Sequence, residues 1–462
     1  MPILGAILTP HPPVLLPEVG RGRERKIAAT DRAMRNAAEQ VAGWEPEVLI
    51  VASPHTVMYS DYFHISPGSG AAGDMSAFGA PQVHIEARYD TQLREEIVRR
   101  AKAEGIDAGT LGQHDPKLDH GVLIPLYFLQ KAGVNCPIVR IGLSGFPPLD
   151  HYRMGRCVAK AVEALGRRAV FVASGDLSHK LKADGPYGYA PEGPVFDEAV
   201  TETMASGNFL DFLTMDSSLC QRAAECGLRS FQMMAGALDG LAVKPQLLSH
   251  EGNFGVGYAV ALFPVTYRDE SRCFAAACEK ARHERVEKRR ANEDAWVRLA
   301  RLSLETYVRT GRRLGKLPDK LPEELTEHAA GAFVSLHIDG GLRGCIGTIA
   351  ATENNLALEI VNNAVSAGTR DPRFPPVRAD ELDELEYSVD VMGDPETVDS
   401  PDQLNPGVYG VIVSSGGRRG LLLPDLDGVD TVEQQLDIAR KKGGIHPGEP
   451  CKIQRFKVVR HV

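Results

Sequence analysis

Three histidines follow three hydrophobic segments in the first half of the chain. The segments and their histidines are 3–9 with His11, 48–52 with His55, and 169–173 with His179. A lone acid, Glu251, lies near the end of the same half. Strand ends at the carboxyl edge of a parallel sheet are where α/β proteins place their chemistry. Imidazoles together with a carboxylate can hold a divalent metal on one face, so this pattern predicts a metal-dependent enzyme.

His11 and His55 are the strongest candidates for metal ligands. His11 lies between two prolines and His55 follows one, so both rings are presented on stiff loops that cannot be helical. A stiff loop holds a ligand in place before the metal arrives. Either histidine alone is explained as well by a hydrogen bond to a backbone carbonyl. Two histidines at equivalent topological positions favour the metal.

His179 and His120 are candidates for proton transfer or substrate binding. His179 ends the sequence ASGDLSH, where Asp176 or Ser178 can orient its ring, and imidazole titrates near neutral pH. The alternative is a helix-start motif with Asp176 or Ser178 as the N-cap. His120 precedes a glycine and a buried apolar run, which predicts either a residue beside the site or a structural histidine at a helix start.

Composition excludes several classes of function. The 462 residues carry a formal net charge of −9, which argues against nucleic-acid binding, since that function needs a basic face. The eight cysteines form no C-x-x-C pair. The first residues lack the basic region of a secretory signal, and no stretch reaches the ~20 apolar residues of a membrane span. We therefore expect a cytoplasmic protein that binds neither nucleic acid nor membrane.

The pattern of strands and helices divides the chain into two units joined by a linker. Residues 1–265 alternate strands and helices, which predicts an α/β unit with a mixed or parallel sheet flanked by helices. Residues 266–293 are charged and almost free of glycine and proline, so they predict a helical linker. Residues 294–462 show an α+β pattern. Within the first unit, residues 181–196 predict a loop that is either a lid over a site or a surface excursion.

The second unit contains two segments with candidate functional residues. In GGLRGCIGT, Gly340 and Gly341 suit a hairpin turn, and the glycines beside Cys345 leave its thiol uncrowded. Arg343 can lower the pKa of that thiol; the alternative is a small buried hydrophobic residue. The second segment, 369–377, predicts a rigid loop that forms a groove wall with the first. Its candidate residues are Arg370, Asp371 and Arg373.

Five motifs of the first unit resemble the catalytic subunit of class III extradiol ring-cleavage dioxygenases of the LigB type. They are T-P-H-P-P at 9–13, S-P-H at 53–55, D-H-G at 119–121, G-D-L-S-H at 175–179 and E-G-N-F-G-V-G-Y-A from 251. The resemblance implies Fe(II) held by His11, His55 and Glu251, with O2 as co-substrate. It further implies that His179 is the acid–base residue and that His120 hydrogen-bonds substrate or oxygen. The substrate would be a small catecholic or aminophenol-like aromatic, and Mn, Zn or Co can occupy the same ligands.

A second family and a related branch leave other functions open. The Memo-like proteins are similar to the first unit and share its fold, have no established ring-cleaving role, and carry a cysteine where the dioxygenases carry the glutamate. Residues 290–462 resemble the AMMECR family through L-R-G-C-I-G at 342–347, R-D-P-R-F-P-P at 370–376 and G-L-L-L-P at 420–424. These families imply a radical S-adenosylmethionine protein as partner. The alternatives to a dioxygenase are therefore a Memo-like metal or redox protein, or a scaffold; a homodimer is also expected.

Overall fold

The chain folds into two compact units, Met1–Ala281 and Arg282–Val462. The computed structural model describes residues 2–115, 117–426, 429 and 431–462. The boundary between the units falls inside a helix, Ala275–Asn292, within the segment predicted as a helical linker. Over the described residues, no helix combines the length and the apolar character needed to cross a membrane.

The first unit alternates strands and helices as its sequence predicts. Its strands are β1 Ile3–Thr9, β2 Val48–Ser53, β3 Phe63–His64, β4 Gly70–Met75, β5 Ala80–Arg88, β6 Ala108–Gly109, β7 Ile138–Gly142, β8 Ala169–Ser174, β9 Leu241–Val243, β10 Gln246–Glu251 and β11 Tyr258–Arg268. Its helices are α1 Pro17–Gly20, α2 Ala28–Gly43, α3 Thr91–Ala103, α4 His120–Lys131, α5 Pro148–Ala164, α6 Glu192–Ser206, α7 Leu210–Thr214, α8 Ser217–Ala223 and α9 Leu228–Ala237, followed by α10 Ala275–Asn292.

A mixed sheet in the order β10-β11-β1-β8-β2-β7 forms the centre of the first unit, with β9 paired to β11. Strands β1, β8, β2 and β7 are parallel, β11 pairs antiparallel with β1, and β10 pairs antiparallel with β11. The parallel strands are buried along nearly their whole length, as expected for a sheet covered on both faces. The predicted α/β architecture is confirmed.

Helices cover both faces of this sheet. One layer of the core contains Ile97, Tyr152 and Phe231 from α3, α5 and α9, and the other contains Met34 and Phe128 from α2 and α4. The hairpin β4–β5 was not predicted, because β4 (GAAGDM) consists mostly of glycine and alanine and shows no strand pattern. A 3₁₀ turn over Ser76–Phe78 connects its two strands.

The second unit is α+β, as predicted. Its strands are β12 Ala332–Ile338, β13 Gly341–Gly347, β14 Glu386–Met392, β15 Glu396–Thr397, β16 Gly410–Ser415, β17 Arg418–Leu422, β18 Lys452–Phe456 and β19 Val458–His461. Its helices are α11 Ala295–Thr310, α12 Glu323–Thr326, α13 Leu356–Thr369 and α14 Val432–Lys442. Two four-stranded sheets form, in the orders β13-β12-β14-β19 and β15-β18-β16-β17.

The hairpin between β12 and β13 turns one residue earlier than predicted. Its central residues are Asp339 and Gly340, with φ angles of 48° and 75°. Positive φ at both central positions is the requirement of a type I′ turn, which Asp-Gly meets well. Gly341 instead begins β13 and pairs with Ile338.

Candidate functional site

The topology of the first sheet brings three of the sequence motifs to one edge. Strand β8 lies between β1 and β2, and all three run in the same direction. The loops that follow them therefore meet at the carboxyl edge of the sheet, where α/β proteins place their sites. These loops carry His11, His55 and the pair Asp176 and His179.

His11 is fixed by contacts at both its backbone and its ring. Its N–H donates to Asp176 Oδ1 at 2.8 Å, and its Nδ1 lies 2.9 Å from Ser174 Oγ. The Ser174 hydroxyl donates its one proton to the Gly121 carbonyl at 2.6 Å, so it can only accept from His11 Nδ1–H. Burial, followed by the charge of His55, lowers the pKa of His11 to about 3. His11 is therefore a neutral imidazole with its Nε2 lone pair facing the site.

His55 and Cys226 converge on that Nε2 atom. His55 Nε2 lies 3.0 Å from His11 Nε2, and Cys226 Sγ lies 3.7 Å from it. One ligand atom from each of the three residues fits within a span of 4.8 Å. Burial lowers the pKa of His55 and raises that of Cys226, so all three groups are neutral when no metal is bound.

Cys226, which the sequence did not predict as a site residue, lies at the site because two glycines let two backbone segments touch. Cys226 lies between α8 and α9, on no strand, so no pattern marked it. A Cβ atom on Gly175 would come within 2.1 Å of the Gly227 Cα. The absence of both side chains lets the backbone before α9 touch the backbone after β8, which places the Cys226 thiol over Asp176.

Glu251, the predicted third ligand, lies elsewhere. Its carboxylate accepts hydrogen bonds from the backbone N–H and the hydroxyl of Thr30, both at 2.7 Å. Glu251 ends β10, and β11 separates β10 from β1 in the sheet. The acid is therefore directed to the first turn of α2, where the helix dipole stabilises a negative charge. Among the described residues, the group of donor atoms around His11 contains Cys226 in place of Glu251.

Asp176 supplies a carboxylate beside the donor atoms. Its Oδ2 lies 3.9 Å from His11 Nε2, and its side chain is almost fully buried. Burial raises the pKa of Asp176 to about 6, against the opposing effects of the His11 N–H and of His179 and His55. A carboxyl group in this range can hold or release a proton near neutral pH.

His120 begins α4 and lies against the two candidate ligand histidines. The centre of its ring is 4.1 Å from that of His55 and 5.3 Å from that of His11. Burial, followed by the charges of His55 and His11, lowers the pKa of His120 to about 3. The N-cap residue Asp119 accepts from Val122 N–H. His120 therefore lies at a helix start and also beside the candidate ligands, so the two predicted alternatives do not exclude each other.

His179 lies on the β8 side of the site. Its Nδ1–H donates to the Ala224 carbonyl. The other ring nitrogen, Nε2, takes no part in this hydrogen bond. The loop that follows borders the same place, since the Tyr187 ring lies 5.1 Å from the His179 ring. Ser178 is not the cap of a helix here; its N–H donates to Asp197.

The donor set fits a transition metal. Metal–nitrogen and metal–sulfur bonds of about 2.0 and 2.3 Å place neighbouring ligand atoms about 3–4 Å apart, and the distances from His11 Nε2 to His55 and Cys226 lie in this range. The hydrogen bond at His11 Nδ1 also fixes the tautomer that a metal requires. Two imidazoles and a thiol favour copper, iron or zinc over magnesium and calcium.

In the second unit, the two candidate segments meet as predicted. Cys345 N–H donates to Asp371 Oδ2 at 2.8 Å, and Arg373 donates to the Cys345 carbonyl at 3.4 Å. Asp371 and Arg373 also pair with each other through two hydrogen bonds of 2.9 and 2.7 Å. This loop covers the edge of β13 as a neighbouring strand would.

The expected effect of Arg343 on Cys345 is not found. Arg343 donates to both oxygens of Glu381, at 2.7 and 3.1 Å. Burial raises the pKa of the Cys345 thiol, so the thiol is protonated at neutral pH. Arg370 is exposed to solvent and takes no part in the Asp371–Arg373 pair.

Two protein families match different parts of the chain. The family described as the catalytic LigB subunit of aromatic ring-opening dioxygenase matches residues 5–261, and the AMMECR1 family matches residues 297–461. A protein of Clostridium acetobutylicum is 41% identical over 468 residues, covering 100% of this chain and 99% of its own length. A Thermotoga maritima protein is 53% identical over 171 residues, covering 37% of this chain and 98% of its own length.

Two solved structures align with parts of the chain. An uncharacterised protein from Pyrococcus horikoshii is 32% identical, covers 36% of this chain and 88% of its own, and has a TM-score of 0.34. An uncharacterised protein from Escherichia coli K12 is 17% identical, covers 56% of this chain and 99% of its own, and has a TM-score of 0.39. On the two family matches, the chain belongs to the family of the catalytic LigB subunit of aromatic ring-opening dioxygenases and carries an AMMECR1 domain in its second unit.

Proposed function

We propose that the first unit is a metal-dependent oxidoreductase whose metal is held by His11, His55 and Cys226. The observation that carries this proposal is the convergence of three ligand atoms within 4.8 Å, with the His11 tautomer fixed by Ser174. A thiolate and two imidazoles suit copper or iron, and the bound metal supplies one-electron redox chemistry.

The chain's own residues supply the proton chemistry beside the metal. Asp176 is buried within 3.9 Å of His11 Nε2, and burial raises its pKa to about 6, so it can hold a proton near neutral pH. His179 commits Nδ1–H to the Ala224 carbonyl and thereby presents Nε2 to a substrate. Tyr187 shields His179 on one side, and Phe78 lies 5.5 Å from His120 on its own side of the site.

Extradiol ring cleavage is the second candidate, favoured by the family match over residues 5–261. It calls for Fe(II) on two histidines and one carboxylate. With Glu251 directed to Thr30, the carboxylate of Asp176, 3.9 Å from His11 Nε2, is the candidate for this position. The substrate would be a catecholic or aminophenol-like aromatic, with O2 as co-substrate. A radical S-adenosylmethionine partner, a homodimer and a cytoplasmic location stay predictions.

Metal binding by matched variants tests the ligand set. Protein purified without oxygen is loaded separately with Fe(II) and with copper, and its metal content is measured by plasma mass spectrometry. We expect about one metal per chain in wild type and in Glu251→Gln, and a large loss in Cys226→Ser and His11→Ala, because ligand thiolates and imidazoles contribute most of the affinity. The proposal would be contradicted if Cys226→Ser kept its metal and Glu251→Gln lost its metal.

Oxygen uptake separates the two candidates. Fe(II)-loaded wild type and Asp176→Asn are offered catechol, protocatechuate, gallate and 2-aminophenol, and products are identified by mass spectrometry. A ring-opened product that requires Asp176 favours the dioxygenase. Metal binding that depends on Cys226, without any ring-opened product, favours the redox protein. A visible absorption band in the copper form that Cys226→Ser abolishes is the independent sign of thiolate ligation.

A further inference from the structure

The second unit has a polar sheet face that the proposed function does not use. Strands β13, β12 and β14 place Cys345, Ser335 and Ser388 directly opposite one another, so their side chains share one face. The other face of the same strands packs its apolar side chains into the core of the unit. We call Cys345, Ser335 and Ser388, with the flanking Arg373 and Arg460, the polar face.

Two buried carboxylates orient the two arginines of the polar face. Asp371 pairs with Arg373, and Asp390 pairs with Arg460 through hydrogen bonds of 2.8 and 3.0 Å. The aspartate side chains are 2% and 3% exposed, whereas the arginine side chains are 54% and 47% exposed. The guanidinium groups therefore stand in front of their carboxylates, and a solute meets the N–H groups first.

Two motifs of the second unit contribute residues to the polar face, and the third ends one residue before Asp425. Cys345 comes from L-R-G-C-I-G, Arg373 comes from R-D-P-R-F-P-P, and Asp425 directly follows G-L-L-L-P. Hydrogen bonds to Asp390 raise the pKa of Arg460, with smaller contributions from the charges of Asp425 and Cys345. One end of the polar face is closed by apolar side chains that pack against the second sheet, namely Phe333, Met392 and Val458.

Stability alone does not account for this arrangement. A buried carboxylate with its guanidinium often stabilises a fold no better than apolar residues of the same volume, and the neighbouring positions of this face show that apolar packing is available. Arg373 and Arg460 also keep their Nη1 groups free of any acceptor in the described part of the chain. Preorganised N–H groups of this kind bind oxyanions, which accept hydrogen bonds in the planar geometry that guanidinium offers.

We propose that the polar face binds a small oxyanion, a carboxylate or a phosphate, between Arg373 and Arg460, with the Ser335 and Ser388 hydroxyls and the Cys345 thiol beneath it. The bound molecule then covers the thiol. Because the thiol is a neutral group, it does not repel the anion.

Protection of Cys345 from alkylation tests the proposal in the full-length chain. Native protein is treated with iodoacetamide in the presence of inorganic phosphate, succinate or the neutral analogue succinamide, and labelling is quantified on each cysteine peptide by mass spectrometry. We expect phosphate or succinate to slow labelling of Cys345 about tenfold, whereas succinamide does not. Cys273, which is exposed in the first unit, is the internal control and keeps its labelling rate.

Substitutions of the two arginines complete the test. Arg373→Ala and Arg460→Ala should each weaken protection about tenfold, while Arg373→Lys and Arg460→Lys, which keep the charge, retain part of it. Arg378→Ala changes an exposed arginine paired with Asp380 and is the matched control, in which the anion should protect Cys345 as it does in wild type. Trp296 fluorescence, in a Trp44→Phe background, verifies that each variant is folded. Protection by phosphate alone or by succinate alone identifies the oxyanion. Protection by neither anion, or protection that survives both arginine-to-alanine changes, overturns the proposal.

Discussion

Ser174 Oγ accepts a hydrogen bond from His11 Nδ1 at 2.9 Å while donating its own proton to the Gly121 carbonyl. The two bonds together decide which nitrogen of His11 carries the proton, because a hydroxyl has a single proton to give. The Nε2 lone pair is thereby fixed toward His55 and Cys226 before any metal arrives. This relationship connects β8 to the candidate ligand that follows β1.

Ser174→Ala should weaken metal binding about 10- to 100-fold, the usual effect of losing a residue that orients a ligand histidine. Without the acceptor, His11 can protonate either nitrogen and its ring can rotate. The measurement is a competition titration against a chromophoric chelator. Ser303→Ala removes an equally buried serine that donates to the Val361 carbonyl and is the control. Equal affinities in all three proteins would contradict the orienting role.

Asp119→Ala should loosen the loop that carries His55. One oxygen of Asp119 accepts from Ser53 Oγ at 2.7 Å and from Val122 N–H, and the other accepts from Thr56 Oγ1 at 2.7 Å. The substitution therefore removes the cap of α4, at a cost of about 1 kcal/mol, and releases the loop that follows β2. We expect weaker metal binding and faster hydrogen exchange at residues 53–57.

Asp90→Ala is the matched control for that experiment. Asp90 caps α3 by accepting from Leu93 N–H and, among the described residues, has no contact with the candidate metal ligands. Its loss should cost a similar amount of stability without changing metal affinity. If both variants bind metal as wild type does, Asp119 does no more than cap its helix.

Gly155→Ala should destabilise the first unit by about 1–3 kcal/mol or more, as overpacking does in close-packed cores. A Cβ at Gly155 would come within 1.9 Å of the Met233 carbonyl oxygen, where α5 crosses α9. Trp44 fluorescence during urea unfolding, in a Trp296→Phe background, reports this unit. Gly43→Ala, where an added Cβ meets nothing within 4 Å, should be neutral or slightly stabilising. Equal midpoints for the two variants would contradict the close helix contact.

Asp371 should make the stability of the second unit depend on pH. Its hydrogen bonds with Arg373 hold the pKa of Asp371 below its usual value. A carboxyl group with a lowered folded-state pKa stabilises the fold above its unfolded pKa of about 4, and this contribution is lost as pH falls through the folded-state pKa. Asp371→Asn should therefore cost about 1–3 kcal/mol at pH 7 and progressively less below pH 4.

Urea unfolding followed by Trp296 fluorescence, in a Trp44→Phe background, measures this difference at each pH. Asp399→Asn, at an exposed aspartate of the same unit, is the control and should show no such change. A constant difference between wild type and Asp371→Asn from pH 7 to pH 3 would show that the ion pair does not set the stability of this loop.

The sequence by itself determined the buried parallel strands, the alternation of strands and helices, and the positions of His11 and His55 after two of those strands. Buried parallel strands are continuous runs of apolar residues, so β1, β2 and β8 stand out from their surroundings without any tertiary information. Proline next to each histidine fixed the character of the loops. The two family resemblances also rested on short local motifs that occur in the expected order along the chain.

The tertiary structure alone decided which third residue joins the two histidines. Cys226 lies on no strand and in no motif, and it reaches His11 only because Gly175 and Gly227 allow two backbones to touch. Glu251 lies in a matching motif, but its strand is separated from β1 by β11, so its carboxylate meets Thr30. Strand order and helix packing are long-range relationships, and the spacing of residues along a chain does not determine them.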